Sequence, residues 1–155
     1  MVRPESSQMA NVFPILLAED DRNDVILMRR AFIEAKLPNR LIVVETGRDA
    51  IDYLAGNGVY GRREEYPMPG LMLLDLKMPW MDGFDVLKWL RNQPQLAQLP
   101  VVVLTSSNLQ LDRDRSRQLG VYDYRVKPQA FADLRRLLEE IYACWMGNVC
   151  VKVTR

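Results

Sequence analysis

The chain has 155 residues, 48% hydrophobic and 26% charged, with a formal net charge of +1. That balance describes one globular domain with a real core and excludes a global field drawing it to nucleic acid or a membrane surface. There is no histidine, which excludes Ser-His-Asp and Cys-His catalysis, His-liganded zinc and a phosphohistidine carrier. Cys144 and Cys150 lack metal-ligand spacing and read as reduced thiols. No apolar run approaches the length of a membrane span and the polar start is no signal peptide, so the expected place is the cytoplasm.

Residues 1–13 read as a flexible lead. Ile15-Leu-Leu-Ala18 is a short apolar strand running into Glu19-Asp20-Asp21. Val25, Met28, Phe32 and Ala35 then recur at helical spacing, with Asp21 or Asn23 as cap and Pro38-Asn39 as stop. Leu41 to Val44 is the second strand, and Arg48 to Ala55 a short helix halted at Gly56-Asn57-Gly58. The polar connection to Gly70 is long enough to imply a surface excursion.

Leu71 to Leu74 is a continuous apolar run, the mark of a strand buried on both faces, and it ends at Asp75. A helix over Phe84 to Leu90 follows, closed by Pro94, with Asp82 and Asp85 as turn and helix-start acids. The fourth strand, Leu99 to Leu104, ends in Thr105-Ser106-Ser107. Leu109 to Leu119 is a charged helix stopped at Gly120. Tyr122 to Val126 is a more polar, edge-like strand ending in Lys127-Pro128, and Phe131 to Trp145 is a last amphipathic helix. Five strand–helix alternations without an internal linker predict a parallel sheet with helices on both faces.

In such a sheet ligands bind beyond the carboxyl ends of the strands. Glu19, Asp20, Asp75, Thr105, Ser106 and Lys127 all fall at that edge. Clustered carboxylates repel unless they hold protons or a cation, and hard oxygens without histidine or cysteine suit Mg²⁺. Each motif alone has an ordinary reading: a solvated helix start for Glu19-Asp20-Asp21, a turn former for Asp75, a loop for Lys127-Pro128. Asp24 reads as one more helix-start acid. Together they make a site for phosphoryl transfer onto a carboxylate.

The set resembles the receiver domain of two-component response regulators. The motifs are Ile15-Leu-Leu-Ala-Glu19-Asp20, Leu74-Asp75-Leu-Lys-Met-Pro79-Trp-Met-Asp-Gly83, Val103-Leu-Thr105-Ser106 and Tyr124-Arg-Val-Lys127-Pro128, spread over most of residues 14–146. The resemblance implies a flavodoxin-like α/β fold, five parallel strands in order 2-1-3-4-5 with five helices. It implies Asp75 as phosphoacceptor, with Mg²⁺ held by Glu19, Asp20, Asp75 and the Lys77 backbone carbonyl. It also implies Thr105 and Lys127 on the phosphoryl group, and Tyr124 as the switch aromatic coupled to Thr105. Glu19 stands where an aspartate is more common, lengthening one ligand arm. Lys77 and Ser107 occupy positions that tune the lifetime of the acyl phosphate.

Within that family the long connection before the Asp75 strand and the extension after Trp145 resemble the small single-domain regulators of phytochrome-type histidine kinases. The implied partner is such a kinase, met through Val25, Met28, Arg29, Pro128 and Gln129, and the implied role is a cytoplasmic phosphorelay switch that catalyses only its own phosphorylation and dephosphorylation. Val149, Val151 and Val153 alternate with Cys150, Lys152 and Thr154, so residues 147–155 read as a C-terminal extension and candidate dimer arm. Trp80, after Pro79, is an expected exposed loop aromatic. An aspartate-nucleophile phosphatase would want a second aspartate where Lys77 stands, and a nucleotide- or flavin-binding turn would want glycines where Glu19-Asp20-Asp21 stands. A protein-interaction receiver that is never phosphorylated would not need every site residue.

Overall fold

The computed structural model describes residues 13–146. Five strands, β1 (Ile15–Ala18), β2 (Leu41–Val44), β3 (Leu71–Leu74), β4 (Val101–Thr105) and β5 (Asp123–Val126), alternate with helices α1 (Arg22–Glu34), α2 (Gly47–Ala55), α3 (Gly83–Arg91), α4 (Gln110–Gln118) and α5 (Phe131–Met146). The sheet is parallel throughout, in order β2-β1-β3-β4-β5. The expected doubly wound fold is therefore present, and β5 is an edge strand, as its polar sequence implies.

Alternation along the strands divides the core. Leu16, Ala18, Met72, Leu74, Val101 and Val103 face α2 and α3, where Ala50, Leu54, Val86 and Leu87 meet them. Ile15, Leu17, Leu71, Leu73, Val102 and Leu104 face α1 and α5, against Met28, Phe32, Leu134, Leu138 and Ile141. Both faces of the central strands are apolar because both are covered. Met28 is 2% exposed, so it belongs to this core and cannot meet a kinase; Ile26 at 63%, Leu27 at 40% and Ile33 at 76% are large apolar residues that α1 presents outward.

Local chemistry sets the helix ends. Asp21 caps α1, its Oδ1 accepting from the N–H groups of Asn23 at 2.8 Å and Asp24 at 3.3 Å. The helix stops at Ala35, before Pro38, and Lys36 turns the chain with φ +55°. Asp82 and Asp85 form a reciprocal capping box on α3, which is why both acids are there. Gly83 allows α3 to start against β3: a Cβ there would lie 2.5 Å from the Asp75 carbonyl oxygen and 2.8 Å from Leu76 Cα. The β4 strand begins two residues later than the sequence pattern suggests and ends one later, at Thr105, so Leu99 and Pro100 belong to the loop before it.

The connection from Asn57 to Gly70 runs over the surface, as expected, and is pinned there by a structured plug. A short 3₁₀ turn over Gly58–Gly61 brings Tyr60 beside Tyr53 and Tyr66, with ring centroids 5.0–6.1 Å apart. Tyr53 is fully buried, and its hydroxyl donates to the Pro67 carbonyl at 2.8 Å. Arg63 donates to the carbonyls of Tyr53 at 2.8 Å, Leu54 at 3.0 Å and Tyr66 at 3.3 Å, and so closes the C-terminal end of α2. Polar composition concealed this because Tyr53 lies in α2 while Tyr60 and Tyr66 lie in the connection, so no single element's periodicity links them. Residues 1–12 of the expected lead, Cys150, and the candidate arm 147–155 lie outside the described residues.

Candidate functional site at the strand ends

Beyond the last residue of β1, Glu19 continues the strand's path, its N–H donating to the Val44 carbonyl at 3.0 Å. That bond keeps the side chain inside, at 1% exposure. Asp20 follows and is exposed. Asp75, directly after β3, donates its N–H to the Ala18 carbonyl at 3.1 Å and is 6% exposed. Two neighbouring parallel strands thus end in carboxylates at the same height. Glu19, Asp20 and Asp75 each present an oxygen within 4.8 Å of the others.

Lys127 enters from the end of β5. Its N–H donates to the Thr105 carbonyl at 2.7 Å, fixing the backbone, and its ammonium reaches back across the sheet. Nζ lies 2.5 Å from Glu19 Oε2, 2.9 Å from Asp24 Oδ2 and 3.1 Å from Asp75 Oδ2. Three elements (β1, β3 and the first turn of α1) therefore converge on one ammonium. Lys127 thus stands at the expected acceptor carboxylate, paired with Asp75. The pairing with Asp24 was not legible: Asp24 is a first-turn acid of α1, as expected, but its side chain also belongs to this cluster.

The charges are unequal. Three carboxylates, Glu19, Asp24 and Asp75, hold one ammonium, and a fourth, Asp20, lies beside Glu19 and Asp75. Burial pushes Glu19 up to about 7, opposed by Lys127 and by the Asp21 N–H and reinforced by the Asp75 charge. Burial alone would pull the Lys127 ammonium down, but its hydrogen bonds to Glu19 and Asp24 and the field of Asp75 hold it well above the usual lysine range. A cation added here relieves both the repulsion and the desolvation. The donor set is three carboxylates with neither histidine nor cysteine, which fits a hard divalent ion of the magnesium and manganese class and not zinc.

The β3–α3 loop frames the other side. The Lys77 N–H donates to Asp75 Oδ1 at 3.2 Å, orienting the carboxylate, while the Lys77 side chain is exposed. Trp80 is 99% exposed, as expected, and holds a left-handed φ of +70°, a conformation that costs a bulky residue energy.

Thr105 closes β4, fully buried, and its Oγ1 accepts from the Ser107 N–H at 3.3 Å. The Ser107 carbonyl accepts from the Tyr124 hydroxyl at 2.9 Å. Thr105 and Tyr124 are thus joined through Ser107. Burial raises the Tyr124 hydroxyl above the ordinary tyrosine value, so it remains a donor. The Ser107 hydroxyl also donates to Asp112 at 2.5 Å and accepts from the Leu109 N–H at 3.3 Å, tying this loop to α4. Helix α4 buries Ser116 and leans on rings through guanidinium groups, Arg113 4.7 Å from the Tyr124 centroid and Arg115 4.0 Å from that of Phe84.

Comparison with known proteins agrees with this geometry. Residues 15–139 match the family model described as the response regulator receiver domain. A probable methanogenesis regulatory protein, FilR2 of Methanothrix harundinacea, is 38% identical over 135 residues, covering 87% of this chain and 84% of the relative. Response regulator Rcp1 of Synechocystis is 35% identical over 135 residues, covering 87% of this chain and 90% of the relative. The Mn²⁺-bound structure of Rcp1 superposes with a TM-score of 0.77 at 34% identity, covering 89% of this chain and 97% of that one. The phosphorylated cyanobacterial phytochrome response regulator RcpA superposes with a TM-score of 0.80 at 31% identity, covering 89% and 96%.

Proposed function

The chain belongs to the response regulator receiver family, and from that premise we propose that it is a stand-alone switch whose Asp75 accepts a phosphoryl group from the phosphohistidine of a partner kinase. The observation that carries the reading is the bridge from Lys127 to Asp75 and Glu19 across three strand ends, beside a carboxylate trio fit for a divalent cation. Receiver domains accept phosphate on an aspartate, and Asp75 is the buried, N–H-oriented carboxylate at the centre of this edge.

An Asp75 carboxylate oxygen attacks phosphorus in line, the phosphorus–nitrogen bond breaks, and the imidazole leaves with that electron pair. Glu19, Asp20, Asp75 and the Lys77 carbonyl would hold Mg²⁺, which when bound would supply positive charge to offset that of the phosphoryl group. Lys127 contributes a second positive charge, and the Thr105 hydroxyl a donor. Because Thr105 is linked through Ser107 to Tyr124, a demand on Thr105 is felt at the face formed by α4, β5 and α5. Hydrolysis of the acyl phosphate resets the switch, so the protein acts chemically only on itself.

The partner we infer is a phytochrome-type histidine kinase, because RcpA, which shares this fold at 31% identity, is named a cyanobacterial phytochrome response regulator. On this chain its landing surface comprises Val25, Ile26, Leu27 and Arg29 of α1 with Pro128 and Gln129, all half-buried or exposed. Among the described residues no helix is long and apolar enough to cross a membrane, which accords with a cytoplasmic site of action. A homodimer built through residues 147–155 is part of the reading; deletion of that segment lowers the mass seen by light scattering, and an unchanged mass removes it.

Intact-protein mass spectrometry after incubation with acetyl phosphate tests the central claim. The expected result is a single phosphoryl gain that needs Mg²⁺ and is lost in Asp75→Asn. A gain that survives Asp75→Asn assigns the acceptor elsewhere. No gain from acetyl phosphate or from a phosphorylated phytochrome kinase overturns the switch.

A further inference from the structure

Asp24 is the one carboxylate around Lys127 that stands outside the set able to share a cation. Glu19, Asp20 and Asp75 form that set, whereas Asp24 Oδ2 meets the lysine alone, at 2.9 Å. An ammonium has three N–H donors, and Glu19, Asp24 and Asp75 engage all three. On the reading given above, a phosphoryl group arriving on Asp75 has to be met by Lys127. One existing bond must then yield.

Exposure decides which one. The Glu19 side chain is 1% exposed and that of Asp75 7%, so there only a bound cation or the phosphoryl group itself, not water, can replace the lysine. The Asp24 side chain is 36% exposed and can exchange the ammonium for solvent at low cost. Its negative charge also repels an incoming phosphoryl group. Both effects have the same sign.

We propose that Asp24 is a positioning residue that holds Lys127 in the unphosphorylated protein and yields it to the phosphoryl group, and that it thereby opposes phosphorylation. The same bond ties the first turn of α1 to the loop after β5, so its release loosens one element of the surface offered to the kinase. This inference rests on Asp75 being the acceptor.

Beryllium fluoride, which mimics a phosphoryl group on a carboxylate, is titrated into the full chain at saturating Mg²⁺ and followed by fluorine NMR. Asp24→Asn keeps an acceptor and loses the charge; it binds the fluoride complex about threefold tighter than wild type. Asp24→Ala also frees the lysine and binds about tenfold tighter. Asp24→Glu restores charge and acceptor and returns to within about twofold of wild type. Phosphorylated fractions at fixed acetyl phosphate rise in the same order. A merely structural acid at a helix start would lower the melting temperature and leave these affinities unmoved. Affinities of Asp24→Asn and Asp24→Ala equal to or weaker than wild type overturn the proposal while leaving the acceptor intact. Failure of the wild type itself to bind removes the acceptor reading and this inference together.

Discussion

Arg63 and Lys127 are two cations drawn partly inside the same domain, each by three oxygen partners. Arg63 meets backbone carbonyls of Tyr53, Leu54 and Tyr66. Lys127 meets the side-chain carboxylates of Glu19, Asp24 and Asp75. Carbonyls are fixed dipoles that carry no net charge and cannot be titrated, moved or ligated without unfolding α2. Carboxylates are mobile anions, here more numerous than the ammonium they hold, and they accept a metal, a proton or a phosphoryl group instead. The first arrangement is a closed fastening. The second is an unsaturated one, and the difference between them is the difference between a plug and a switch.

Removing Lys127 tests the second arrangement most severely. Lys127→Met strands partly buried carboxylates and lowers the unfolding free energy of the metal-free protein by about 3 kcal/mol, measured by urea denaturation. Added Mg²⁺ recovers part of that loss and stabilises the variant more than the wild type, because the cation takes over the ammonium's place. A loss that Mg²⁺ leaves untouched would mean the cluster has no capacity for a cation.

Arg63→Met tests the first. It leaves α2 carbonyls without a donor and costs about 2 kcal/mol in the same assay, while Mg²⁺ affinity and the rate of phosphorylation by acetyl phosphate stay at the wild-type level. A change in phosphorylation rate would show that the plug and the switch communicate. The smallest effect belongs to Trp80, whose left-handed backbone lies in the loop beside Asp75. Trp80→Gly removes that backbone cost and buries nothing less, so stability rises by about 0.5 kcal/mol. A fall instead would mean that the indole contributes to the folded loop.

How far the sequence reached follows the same division. The apolar runs of β1, β3 and β4 and the punctuation after them located Glu19, Asp20, Asp75 and Thr105, because a strand covered on both faces has to read as continuous hydrophobics ending where the chain leaves the core. Capping chemistry was equally legible, since Asp82, Asp85 and Asp21 act within three residues of themselves. Met28 shows where the pattern stopped helping: helical spacing placed it on the inner face, yet a family-level expectation assigned it outward, and the packing against the sheet decided.

By itself, then, the sequence determined the order of strands and helices and which acids stand at the carboxyl edge, because local periodicity and turn chemistry are properties of neighbours. Tertiary structure decided which charges meet. Asp24 and Lys127 are 103 residues apart and Glu19 and Lys127 are 108 apart. No local rule links them; only the crossing of β1, β3 and β5 at one edge does. The burial of Tyr53 and the capping of α2 by Arg63 were settled in the same way, by where the chain returned.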